Sequence, residues 1–224
     1  MTPQATPWTR PQMAARLAQD IPEGTFINLG IGMPSLVARH IPPTADITLH
    51  SENGLLHFGG PPPPGQEDTD LVDAGKNPVT LRPGAAFFDS ALSFAMMRGG
   101  HLDIAVLGGF EVSATGDLAN WWTGTPGDPQ GVGGAMDLAS GAKQIWILME
   151  HRTKDGRLKI VQTCTYPLTA RRVVTRIYTD LAVIDVTPTG LMLRDMAPGV
   201  TKTTLQAVTD APITLPPDWP PARR

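Results

Sequence analysis

The sequence predicts an open α/β sheet, mostly parallel, with flanking helices and a β-hairpin added near the C-terminus. Three observations predict it. Short apolar runs alternate with segments of helical periodicity along the 224 residues, the pattern of strands linked by crossover helices. Glycines cluster around residues 30–32, 54–60, 99–109 and 131–134, often just after those apolar runs, where open sheets place their chemistry. Residues 181–186 and 191–194 flank Thr187-Pro-Thr-Gly190, a hairpin signal.

The elements follow in order. Thr9 caps a first helix with Pro11 in its first turn, and Met13, Leu17 and Ile21 recur at helical spacing before Pro22 and Gly24 end it. Residues 25–29 read as a strand running into Gly30-Ile-Gly-Met-Pro34, with a helix over 34–40. A second strand at 47–50 delivers the chain to Ser51-Glu-Asn-Gly54. Four prolines at 61–64 admit neither helix nor central strand and predict an extended loop. A strand is expected at 79–82. Asp89 or Ser90 caps a helix through Arg98, ended by Gly99 and Gly100. Residues 103–107 and 145–149 are buried-strand patterns, and from 173 onward the texture turns Val/Thr/Ile-rich. Thr201 caps a last helix. The whole chain, 1–224, reads as a single domain with irregular tails at 1–8 and 212–224.

Composition narrows the function classes. Hydrophobic residues are 41% and charged residues 17%, enough for a packed core. A net charge of −3 without a Lys/Arg run argues against a nucleic-acid partner. Cys164 is the lone cysteine and has no internal disulfide partner, which fits a reducing compartment. Residues 1–10 are polar, unlike a signal peptide, and no run approaches the ~20 apolar residues of a membrane span. The expectation is a soluble cytoplasmic protein.

Three segments can carry chemistry. Glu52 follows a strand and precedes Gly54, which permits a tight turn presenting the carboxylate as a nucleophile; the alternative is a solvated loop carboxylate. Asn28-Leu-Gly-Ile-Gly-Met-Pro34 is a strand–glycine–helix turn able to meet an anion, or simply a close-packed connection. Its dinucleotide fingerprint is broken, with Ser35 at the third glycine. Gly131-Val-Gly-Gly-Ala-Met-Asp137 can aim backbone N–H groups at an oxyanion, or be a flexible turn. The five histidines lack metal-ligand spacing, and His50 and His57 read as supporting or solvent-facing groups beside the Glu52 turn. No G-x-S-x-G elbow exists. Cys164 reads as structural, and Trp121-Trp122 as packing rather than a stacking platform.

Taken together these segments resemble the B subunit of family I CoA-transferases. The resemblance also runs through Ala74-Gly-Lys76, Ser93-Phe-Ala-Met-Met-Arg-Gly-Gly-His101 and Gly116-Asp-Leu-Ala-Asn-Trp121. It continues through Gly131-Val-Gly-Gly-Ala-Met-Asp-Leu138, Cys164-Thr-Tyr-Pro-Leu-Thr169 and Ala197-Pro-Gly-Val200. Order and spacing hold from about residue 9 to residue 210. The resemblance implies that Glu52 is the nucleophile and carries a covalent glutamyl-CoA thioester. It places oxyanion and substrate binding at Asn28, Gly133, Gly134 and Ala135. It implies coenzyme A as a substrate with no permanently bound cofactor and no metal. It also implies a homologous A subunit in an A2B2 hetero-oligomer, with no nucleic acid or membrane as partner. The segments at 116–121 and 181–200 look most like B subunits that move CoA from succinyl-CoA to 3-oxoadipate; acetoacetate- and acetate-using relatives share the motifs. His50 and Glu111 stand where glutamine is frequent in the family, and residues 61–64 are unusually proline-rich. An acyl-CoA hydrolase with Glu52 as general base, and a non-catalytic partner subunit, are the competing readings.

Overall fold

A computed structural model of the chain describes residues 5–128 and 131–219. The chain forms two compact units. The first comprises Ala14–Gly108 and Gly133–Ile145; the second comprises the described residues of Met1–Met13, Gly109–Val132 and Trp146–Arg224.

The first unit is an α/β sheet. Helix α1 is Arg10–Ala18, with residues 10–13 assigned to the second unit and 14–18 to the first; Gln12 Oε1 accepts from Thr9 N at 2.8 Å, closing its first turn. Met13, Leu17 and Ile21 are buried, as their spacing predicts. Strands β1 (Thr25–Leu29), β2 (Ile47–Ser51), β3 (Leu55–Phe58), β4 (Leu81–Phe87) and β5 (Ile104–Leu107) lie in the order β5-β1-β2-β3-β4. β1 runs parallel to both β2 and β5, and β2-β3-β4 are antiparallel. β5 is apolar and buried at every residue, while β1 and β2 mix apolar with polar residues and Phe26 is 43% exposed. Helix α2 (Ser90–Arg98) starts where Asp89 accepts from Leu92 N at 2.8 Å. Helix α3 (Ala135–Gly141) packs against it.

Three local features differ from expectation. Residues 33–40 form a 3₁₀ helix, Met33–His40, in place of an α-helix. Both the N and Oγ of Ser35 bond to Gly32 O, at 3.2 and 2.8 Å, an i→i+3 closure that tightens the turn. The strand expected at 79–82 begins later: Thr80 instead pairs with Gly59 and Gly60, closing the neck of the proline-rich excursion. Strand β3 and helix α3 come in addition to the elements that the sequence pattern predicts.

The second unit contains β6 (Glu111–Ser113), β7 (Leu118–Ala119), β8 (Gln144–Leu148), whose first two residues belong to the first unit, and β9 (Ile160–Val161). It continues with β10 (Val174–Tyr178), β11 (Ala182–Thr187), β12 (Gly190–Met196), α4 (Lys202–Gln206) and β13 (Ile213–Thr214). β10-β11-β12 are antiparallel, with Thr187↔Gly190 closing the predicted hairpin. Thr201 caps α4 in a reciprocal capping box with Thr204. The segments expected to be irregular are partly tied down. Ile213–Thr214 adds a short parallel strand to β12, and Thr6 N and Trp8 N bond to Pro198 O and Asp180 O. Residues 1–4 and 220–224 of those tails lie outside the described residues.

No helix among the described residues is long and apolar enough to cross a membrane.

Candidate active site

The 51–54 turn is a three-residue hairpin loop. Ser51 pairs with Leu55 across β2 and β3, leaving Glu52, Asn53 and Gly54 as the connection. Gly54 adopts φ +104°, a left-handed value that favours glycine, and Phe88 N donates to its carbonyl at 3.0 Å. A side chain there would overlap Phe88 O. The loop is braced from outside, since Ala74 N donates to Ser51 Oγ at 2.9 Å and Asn53 Nδ2 to Val72 O at 2.8 Å. Glu52 is thus held on the end of a packed strand, half-buried.

Its carboxylate meets the second glycine loop. A Cβ built on Gly134 would overlap Glu52 Oε2 and lie 3.2 Å from Cδ, with the Phe94 ring 3.4 Å away. Gly134 is the N-cap of α3, whose first N–H groups have no intrahelical acceptors. Gly133 is exposed at φ +50°, and a Cβ there would meet open space rather than Glu52. Ala135 opens the helix.

Electrostatics favour a reactive carboxylate. Burial raises the Glu52 pKa, and the nearby Asp137 charge raises it further. Asp137 is itself paired with Arg98 at 3.0 Å, and Arg98 lies over the Phe94 ring at 5.9 Å. A carboxylate whose charge is poorly solvated gains by forming a neutral acyl bond.

Asn28 and His50 are register partners on β1 and β2, so their side chains lie side by side. Asn28 Nδ2 lies 3.1 Å from His50 Nδ1 and donates to His50 O at 3.2 Å, while His50 Nε2 lies 3.1 Å from Ser93 Oγ. The structure therefore brings Glu52 and Gly134 together, and connects Asn28 to the site through His50. Sequence reasoning missed the burial of His50, which is 1% exposed, and the contributions of Ser93, Phe94 and Asp137. His50 and Ser93 both flank quoted motifs, but only their meeting in space marks them. His57 sits at φ +59° beside an irregularity in β3, with Nδ1 buried and without a hydrogen-bond partner among the described residues.

In the second unit Glu111, 6% exposed, accepts from Thr165 N, Thr165 Oγ1 and Tyr166 N at 2.6, 2.8 and 3.2 Å. It holds the 164–169 segment. Burial, with Glu111 and Asp117 nearby, pushes the Cys164 thiol up to about 12, making it structural in character. Trp121 and Trp122, both half-buried, donate to Leu168 O and Thr125 O. Among the described residues no cluster of three or more His, Cys, Asp or Glu is arranged to hold a metal ion.

A glutamate at a strand end thus lies against a glycine loop that opens a helix, on an open α/β sheet. Residues 10–207 match the coenzyme A transferase family, and the chain belongs to that family of enzymes. It is 55% identical over 203 residues to the B subunit of 3-oxoadipate CoA-transferase from Acinetobacter baylyi, covering 91% of this chain and 94% of that one. It is 46% identical over 206 residues to the B subunit of succinyl-CoA:3-ketoacid coenzyme A transferase from Helicobacter pylori, covering 90% and 97%. The fold matches that of the acyl-CoA transferase YdiF from Escherichia coli O157:H7 with TM-score 0.72 at 23% identity, over 97% of this chain and 44% of that longer one.

Proposed function

We propose that this chain is the B subunit of a 3-oxoacid CoA-transferase that moves CoA from succinyl-CoA to 3-oxoadipate through a glutamyl-CoA thioester on Glu52. The observation that carries it is the seating of the Glu52 carboxylate against Gly134 at the start of α3. Identity of 55% to the 3-oxoadipate enzyme, against 46–52% to 3-ketoacid enzymes, supports that acceptor.

The chemistry proceeds by four acyl transfers. Glu52 attacks the thioester carbonyl of succinyl-CoA, and collapse of the tetrahedral adduct expels CoA thiolate and leaves a mixed anhydride. The thiolate attacks the glutamyl carbonyl, forming the Glu52–CoA thioester and releasing succinate. The carboxylate of 3-oxoadipate attacks that thioester to give a second anhydride and thiolate. The thiolate then attacks the 3-oxoadipyl carbonyl, releasing 3-oxoadipyl-CoA and the free Glu52 carboxylate. Each adduct carries an oxyanion, for which the Gly134 and Ala135 amides are the donors in this reading, about 2.7–4 kcal/mol each. Gly133 gives the loop the turn that lets those amides face the carboxylate, and Asn28 lines the substrate side.

The anhydrides are sensitive to water, so the site needs to be closed. A homologous A subunit, in an A2B2 assembly in the cytoplasm, supplies that closure and part of the CoA contact. The family match runs through both compact units, which supports the whole chain, 1–224, acting as one B-subunit domain. Coenzyme A enters as substrate, with no resident cofactor.

The test is co-expression with the A subunit and assay of succinyl-CoA against 3-oxoadipate and acetoacetate. The reading expects 3-oxoadipyl-CoA formation with a kcat/KM well above that for acetoacetate. Equal or higher kcat/KM with acetoacetate overturns the acceptor, and CoA release without any acyl-CoA product overturns the transferase.

A further inference from the structure

Resting on that proposed chemistry, we infer that His50 is a positioning residue: its imidazole clamps the Asn28 amide and helix α2 to the strand end that carries Glu52. The three side chains involved, Asn28, His50 and Ser93, are 2%, 1% and 0% exposed. Water does not compete for these bonds, so they hold one arrangement.

The hydrogen-bond directions follow from chemistry. A backbone carbonyl can only accept, so the Asn28 atom facing His50 O is its Nδ2. The same Nδ2 therefore donates to His50 Nδ1, which must be unprotonated. The ring proton sits on Nε2 and is donated to Ser93 Oγ. Burial holds the imidazole neutral, with its pKa down at about 4. The Phe88 ring stacks with it, centroids 6.1 Å apart.

The clamp joins three pieces of the site. Asn28 is the penultimate residue of β1, His50 lies two residues before Glu52, and Ser93 precedes Phe94, which borders the space at Gly134 occupied by the Glu52 carboxylate. With both amide hydrogens of Asn28 engaged by His50, Oδ1 is the polar atom that Asn28 offers to a ligand. Asn28 then meets substrate as an acceptor, and oxyanion donation falls to the backbone at Gly134 and Ala135. Loosening the imidazole shifts the nucleophile and its surroundings without removing a reacting group.

The test uses the complex with the A subunit and compares His50→Gln, His50→Leu, Ser93→Ala and Glu52→Ala. Glutamine carries one acceptor and one donor in a single planar group and can bridge Asn28 and Ser93; leucine cannot. His50→Leu is expected to lower kcat about 10- to 100-fold with the KM for acyl-CoA little changed, the signature of misplacement rather than lost binding. Ser93→Ala is expected to show a smaller loss of the same kind, keeping the test alive if His50→Leu fails to fold. His50→Gln is expected to recover most of the rate. Wild-type kcat in a folded His50→Leu complex, or in Ser93→Ala when His50→Leu does not fold, overturns the inference. Equal loss in the leucine and glutamine variants does so too. Glu52→Ala separates the two ideas: if that complex still transfers CoA, the nucleophile assignment fails; if it is dead while His50→Leu is normal, only the clamp fails.

Discussion

Gly134 and Glu52 share one volume: the space a side chain on residue 134 needs is filled by the carboxylate of residue 52. The backbone of Gly134, at φ −83° and ψ 3°, would accept alanine without strain. Gly134→Ala therefore displaces the Glu52 carboxylate and tests its proposed role as nucleophile. It is expected to reduce kcat/KM by about 100-fold or more while leaving the melting temperature nearly unchanged. Gly133→Ala tests the reverse, because its Cβ meets nothing but its φ is +50°. That variant should lose about 1–2 kcal/mol of stability and less activity than Gly134→Ala, since its Cβ does not meet Glu52. Steady-state kinetics and thermal melts on both variants, in complex with the A subunit, check the pair.

Glu111 provides a test of buried hydrogen bonding in the second unit. Its Oε2 serves two backbone N–H groups and its Oε1 serves a hydroxyl. Glutamine can keep the first two through its oxygen and donate to the Thr165 hydroxyl, which can accept. Glu111→Gln should cost less than about 1 kcal/mol. Glu111→Ala strands buried donors and should cost about 2–4 kcal/mol. Denaturant titrations of the two variants read the difference.

Acid stability should be governed in part by His50 and His151. Burial holds both imidazoles neutral, with folded pKa values of about 4 against an ordinary 6.5, and Arg152 and Lys159 add to the effect at His151. The unfolded chain binds these protons first as pH falls below 6.5, so the stability they contribute is complete above pH 6.5. It is lost as pH falls toward 4, by on the order of 3 kcal/mol each at most. Glu52, raised above its ordinary value, offsets part of this. Unfolding free energy measured from pH 7.5 to pH 5 should fall with acidification, and His151→Gln should flatten the slope.

Cys164 should be inert. With its thiol pushed up to about 12, alkylation by iodoacetamide at pH 7.5 is expected to be on the order of 10²–10³-fold slower in the folded chain than in urea. Cys164→Ala should retain activity. A fast-reacting thiol in the folded state would contradict the burial described here.

Much of this architecture is legible in the sequence because its signals are local. The short strand patterns of β1, β2 and β5, the Asp89 and Thr201 caps and the Thr187–Gly190 turn each carry their own physics within a few residues. The features that are not legible depend on partners elsewhere in the chain. β3 starts immediately after the Glu52 turn and contains His57 at a positive φ, so it offers no alternating pattern. α3 is seven residues long and follows a glycine loop. The 3₁₀ turn at Met33–His40 depends on the two bonds from Ser35 to one carbonyl. At the site, Glu52 stands out by its turn, but the overlap with Gly134 and the Asn28–His50–Ser93 chain arise only when β1, β2, α2 and α3 assemble.

Whether residue 52 becomes the covalent carrier of coenzyme A can be read by trapping. The complex with the A subunit is incubated with succinyl-CoA, treated with borohydride, digested and analysed by peptide mass spectrometry. The side chain of Glu52 should be reduced to an alcohol, only when acyl-CoA was present. An unmodified Glu52 peptide from a complex that turns over, or reduction of a different carboxylate, contradicts that role.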